Sequence, residues 1–127
     1  MKTIYVLGYN NLGADFWESH LTFNEENRVL FFRNGTSMLK HLQHQPDLII
    51  VDDYFCEEPP EDHNFADVKI GLGIMASHIP TFFFSPKFSG KARKSLKMKH
   101  YYSSLDSSML EFLNKRIVDL SIEKVAA

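Results

Sequence analysis

A chain of 127 residues with 44% hydrophobic and 24% charged side chains can bury a core of its own, and its composition excludes a disordered or fibrous protein. A net charge of −2 gives no general pull toward nucleic acid or an anionic membrane, and the single cysteine, Cys56, excludes an internal disulfide. The opening apolar run is too short for a signal peptide, and no stretch approaches a membrane span, so a reducing, cytoplasmic setting and one domain over residues 1–127 are expected.

In chain order, Thr3-Ile4-Tyr5-Val6-Leu7 is a β-prone run stopped by Gly8, a first buried strand. Asn10 to Glu25 places Leu12, Phe16, Trp17, His20 and Phe23 at helical spacing. Arg28 to Phe32 predicts a second strand, closed by Asn34-Gly35; Asn34-Gly35-Thr36 fits a glycosylation sequon but reads as a turn. Thr36 or Ser37 can cap a helix whose apolar face is Met38, Leu39 and Leu42, ending before Pro46. Leu48-Ile49-Ile50-Val51 then runs unbroken into Asp52-Asp53, the pattern of a strand covered on both faces.

Cys56 to Asn64 is acidic and broken by two prolines, a solvated loop. Phe65 to Met75 predicts a helix loosened by Gly71 and Gly73. Ile79 to Ser85 is a fourth strand, Ser89 to Met98 a short basic helix with Phe88, Ala92 and Leu96 inward, and His100 to Ser103 a fifth strand. Leu105 to Val125 is the strongest helix, with Ser108-Met109-Leu110-Glu111 fitting a capping box and Asp106 an alternative cap. Five strands alternating with five helices imply an α/β, doubly wound parallel sheet in the flavodoxin-like order 2-1-3-4-5. In such sheets ligands collect beyond the carboxyl ends of the strands, where Asp52 and Asp53 stand.

Other motifs carry less. Asp52, Asp53, Cys56, Glu57, Glu58, Glu61, Asp62 and His63 lack zinc-ligand spacing, and an acidic loop accounts for them, so no metal is assigned. Gly8-Tyr9-Asn10-Asn11-Leu12-Gly13 has the glycine spacing of a phosphate-binding loop, but Ala14-Asp15 follows where a lysine and a hydroxyl residue are required. Lys87, Lys91, Arg93, Lys94, Lys97 and Lys99 concentrate positive charge; on a helix, Lys87, Lys91 and Lys94 would form one ridge. The ridge reads either as a solvated face or as a docking patch for an acidic protein, with Lys97 beside it.

Pro46-Asp47-Leu48-Ile49-Ile50-Val51-Asp52 resembles the third-strand segment of response-regulator receiver domains from two-component signalling. The resemblance implies a phosphoacceptor position at Asp52, a phosphoryl-contacting hydroxyl at Ser85 and a switch aromatic at Tyr101. It also implies partner binding through the fourth helix, fifth strand and fifth helix, with a histidine kinase or a downstream signalling protein as partner. The chain departs from the family where Mg²⁺ is held: Gly8, Tyr9, Asn10 and Asn11 replace the acidic pair after the first strand. It departs again where a lysine and a proline follow the fifth strand, since Ser104 and Leu105 stand there. The expectation is therefore a degenerate receiver: a non-enzymatic module acting by protein contact, without Mg²⁺, nucleic acid or membrane. A second copy of the chain is a further candidate partner. The alternatives are a working receiver phosphorylated on Asp52 and a small flavodoxin-like enzyme or nucleotide binder using the Gly8–Gly13 loop.

Overall fold

Leu48-Ile49-Ile50-Val51 has no side that tolerates water, and the sheet is built around it. β3 (Leu48–Asp52) is buried throughout and pairs in parallel with β1 (Lys2–Leu7) on one side and β4 (Thr81–Phe84) on the other. Beyond β1 lies β2 (Asn27–Phe32), and beyond β4 lies β6 (His100–Ser103), both parallel to their neighbours. The computed structural model describes residues 2–8, 11–20, 27–53, 65–85, 88, 93–95 and 97–126.

Strand alternation divides the core into two layers. Tyr5, Leu7, Ile49, Val51 and Phe83 face α2 (Gly35–Lys40) and α3 (Phe65–Met75), where they meet Met38, Val68 and Leu72. Ile4, Val6, Leu48, Ile50, Phe82 and Phe84 face α1 (Asn11–His20) and α4 (Ser107–Ala126), where they meet Trp17, Leu113 and Ile117. The result is the expected flavodoxin-like sandwich of helices on both faces of a parallel sheet, though with four helices and six strands among the described residues.

The extra strand corrects the expected basic helix. Arg93–Lys94 forms β5, an exposed edge strand antiparallel to β6, giving the order β2-β1-β3-β4-β6-β5. Ser95 N–H donates to His100 C=O at 2.8 Å to close the hairpin. A helix would have stacked like charges one turn apart, which destabilises it, whereas the strand gains cross-strand contacts with Tyr101 and Tyr102. Cations on the exposed edge also discourage pairing with another chain. Ala92 and Leu96, two of the residues expected on the inward helix face, lie outside the described residues. So does the loop from Cys56 to Asn64.

Caps differ in detail. Asn34, rather than Thr36 or Ser37, caps α2 by accepting from Ser37 N–H at 3.0 Å, and a 3-10 turn over Leu42–His44 follows. Pro46 disfavours right-handed helix at Gln45, which adopts φ 49° and ends the segment. Asp106 caps α4 by accepting from Met109 N–H at 2.8 Å, so the Ser108 box gives way to the alternative cap. No helix among the described residues is long and apolar enough to cross a membrane.

At Gly35, α2 approaches α3 so closely that an added Cβ would lie 2.5 Å from Val68 Cγ2. Gly35→Ala is therefore expected to lower stability by about 1–3 kcal/mol. Its combination with Val68→Ala should cost less than the sum of the two single losses in urea denaturation, because the clash is gone.

His100, fully buried at the start of β6, donates from Nε2 to Ala76 C=O at 2.9 Å while Nδ1 is buried without a partner. Burial pushes its pKa below the ordinary 6.5, and the bond to Ala76 opposes this in part. The folded state thus binds the proton less readily than the unfolded chain. Stability from this residue is present above about pH 6.5 and is lost as pH falls from there toward the folded value. Urea unfolding across this range should show that slope, and His100→Gln should flatten it.

Candidate functional site

Parallel pairing brings the carboxyl ends of the strands to one rim. β3 ends at Asp52 and Asp53, β4 leads into Ser85, and β1 leads into Gly8. Backbone bonds fix all three: Gly8 N–H to Phe32 C=O at 2.9 Å, Asp53 N–H to Phe84 C=O at 2.8 Å, and Ser85 N–H to Ser103 C=O at 3.1 Å.

Asp52 follows the alternation of Leu48 and Ile50 and turns toward the α1 layer. It has no exposed surface. The indole Nε1–H of Trp17 donates to its Oδ2 at 2.6 Å, a short hydrogen bond. Trp17 is itself fully buried, leaning on Phe84 at 5.5 Å and meeting Phe16 edge-on at 5.1 Å. A buried carboxyl needs donors to offset lost hydration, and a buried indole N–H needs an acceptor; each group answers the other. Helical spacing puts Trp17 on the apolar face of α1 but says nothing about its N–H. No sequence pattern joins the two, since Trp17 and Asp52 stand 35 residues apart.

Asp53 turns the other way and is half-buried. Ser85 Oγ donates to Asp53 Oδ2 at 2.9 Å, so the structure joins Ser85 to the second aspartate of the pair. Tyr101 lies elsewhere. It sits opposite Phe82 on the neighbouring strand, stacked on it at 4.7 Å and packed edge-on against Phe112 at 5.5 Å. Because Ser85 N–H bonds at the level of Ser103, two residues separate Tyr101 from the rim, about 7 Å of strand.

Among the described residues, Lys94, Lys97 and Lys99 are not gathered at this rim. Lys99 precedes β6 and so belongs to the opposite end of the sheet from Asp52. Lys94 projects over the Tyr101 ring at 6.0 Å, and Lys97 is exposed in the bend before β6. With Lys94 in a strand, the helical ridge of three lysines does not form as expected; Lys87 and Lys91 lie outside the described residues. Gly13 is inside α1, which removes one of the two glycines that would frame a phosphate loop; Tyr9 and Asn10 lie outside the described residues. No three histidine, cysteine or acidic side chains converge for a metal among the described residues.

This is the fold of response-regulator receiver domains. The chain is similar to the phosphorylated cyanobacterial phytochrome response regulator RcpA, with a TM-score of 0.61 and 17% identity over 91% of this chain and 90% of that one. It is also similar to the N-terminal domain of a response regulator/sensory box/GGDEF protein from Carboxydothermus hydrogenoformans, with a TM-score of 0.62 and 15% identity over 98% of both chains. A third likeness, TM-score 0.59 and 14% identity, is to the lysine decarboxylase LdcF of Francisella novicida, of which 17% is matched by 94% of this chain. No family model matches the sequence, and no curated sequence does either. The same fold thus serves inside a signalling protein and inside an enzyme, so function must be argued from the site.

Trp17→Phe keeps an aromatic ring but removes the N–H, leaving Asp52 short of a donor. The expected loss is about 1–3 kcal/mol in chemical denaturation. In an Asp52→Leu background the same change should cost much less, because the two residues act as a pair.

Proposed function

We propose that the chain is a receiver-fold signalling module that acts through protein contact and takes no phosphoryl group on Asp52. The observation that carries this reading is the burial of Asp52 against Trp17, with Oδ2 bonded to the indole at 2.6 Å. Phosphoryl transfer to a carboxylate depends on positioned charge: a divalent cation bridging the incoming oxygens, and a cation neutralising what is transferred. The donors here do not suit Mg²⁺, which requires near-octahedral oxygen ligands. Asp52 Oδ2 faces an N–H, Asp53 Oδ2 faces a hydroxyl, and no carboxylate follows β1. Ser104 and Leu105 supply no positive charge after β6, and Leu105 packs into the α1–α4 layer.

A chain on this reading is no enzyme. It presents a fixed surface to its partner, which the receiver resemblance makes a histidine kinase or another signalling protein. The test is incubation of the full chain with Mg²⁺ and acetyl phosphate, followed by intact-mass measurement. The chain should stay at its unmodified mass, and a Trp17→Ala variant should show whether opening the site restores acceptance. A phosphoryl adduct on Asp52 of the unaltered chain would overturn the reading.

A further inference from the structure

α3 carries apolar residues on both sides. Val68, Leu72 and Ala76 are buried against the sheet, while Ile70, Ile74 and Met75 are 61%, 78% and 52% exposed. Ile70, Gly73 and Ile74 line one bank of a groove of about 520 Å³; Met98 and Tyr102 line the other, and Lys69 closes one side. Met98 lies close to Gly73, since a Cβ there would stand 3.4 Å from Met98 Sδ, at ordinary contact. Lys69 Nζ sits 4.6 Å above the Tyr102 ring, which keeps a cation at the groove's edge.

The rim is positive. Lys97 and Lys99 flank Met98 and are exposed. Arg93 is also exposed and pairs directly with Tyr102; directly opposed residues share a sheet face, so Arg93 emerges on the groove side. Lys94 is opposite Tyr101 and belongs to the other face. The groove therefore has an apolar floor and cations around it, a combination that neither the acidic-loop nor the basic-helix expectation contained.

We propose that this groove is the docking site for an acidic amphipathic helix of a partner protein. The inference rests on the contact-module reading above and names the surface and the partner's chemistry. Three exposed apolar side chains on one helix mark a surface that something covers. A volume within the range of roughly 300–1,000 Å³ would suit a small ligand, but such ligands are mostly enclosed, and Ile74 at 78% exposure encloses nothing. A helix laid along the groove would place apolar residues at turn spacing on Ile70, Ile74 and Met98, with Met98 adapting its shape. Its carboxylates would meet Lys69, Arg93, Lys97 and Lys99. A second copy of this chain is disfavoured as occupant, because a symmetric pairing would bring two cationic rims together.

The test is a titration of the labelled full chain, followed by amide NMR. The probe is a synthetic helix of about 18 residues with leucines on one face and glutamates on the other. Controls are a scrambled peptide of the same composition and a lysine-for-glutamate version. Saturable shifts at Ile70, Gly73, Ile74, Met98 and Tyr102, weakened by salt, are expected. Ile70→Ser with Ile74→Ser should weaken binding about tenfold or more, as losing central apolar anchors does, and both sites are exposed enough to keep the fold. Absence of these shifts would overturn the proposal, as would equal binding of either control. Self-association abolished by Ile74→Ser would overturn it in favour of a second copy. Failure of the contact-module reading shows separately, as a phosphoryl mass on Asp52.

Discussion

A carboxyl group with no access to water is stable only if the protein replaces its hydration, and at Asp52 that replacement includes the indole N–H of Trp17. The arrangement depends on three elements at once. β3 must run fully buried to deliver Asp52 to the rim, α1 must lie on that face to deliver Trp17, and Phe84 on β4 must back the indole ring. Each is fixed by ordinary means: an aliphatic strand, an apolar helix face, and an aromatic at the alternating position of a neighbouring strand. Together they convert the position where this fold does its chemistry into part of the core.

The two faces of the sheet consequently have different tasks. The α1–α4 layer closes over Asp52 and carries the aromatic stack of Phe82, Tyr101 and Phe112. The α2–α3 layer is held by the close approach at Gly35 and by the buried face of α3, while the outer face of α3 remains apolar and open beside Tyr102. On the proposed reading, a closed site on one face and an apolar, cation-rimmed groove on the other belong to a module whose binding surface does not depend on phosphorylation. The edge strand β5 contributes to this, because it sends Arg93 to the groove side and Lys94 to the Tyr101 side.

Most of the fold was legible because it rests on patterns that burial enforces. The unbroken aliphatic run of β3 required the centre of a sheet, and the alternation of strands with amphipathic segments required helices on both faces. The segment around Arg93 and Lys94 departs from the expected helix, since Lys87, Lys91 and Lys94 fall at helical spacing by chance, while the deciding contacts come from Tyr101 and Tyr102, later in the chain. Caps were uncertain for a similar reason: Asn34 and Asp106 compete with nearby hydroxyl residues of equal capping ability, and only backbone geometry chooses. At the site, Asp52 and Ser85 could be placed from strand ends, but not the direction each side chain faces. The Trp17 bond and the pairing of Ser85 with Asp53 are long-range contacts that no local pattern encodes.

The single tryptophan makes the central claim directly measurable, because the indole Nε1–H resonance belongs to Trp17 alone. A hydrogen-exchange measurement on that proton, with and without Mg²⁺ and beryllofluoride, reports whether the bond to Asp52 persists. The account predicts a resonance that exchanges only as the whole domain unfolds and that does not move when the phosphoryl mimic is added. Rapid exchange under native conditions, or a saturable shift on adding the mimic, would contradict it: Asp52 would then be open to solvent and to chemistry.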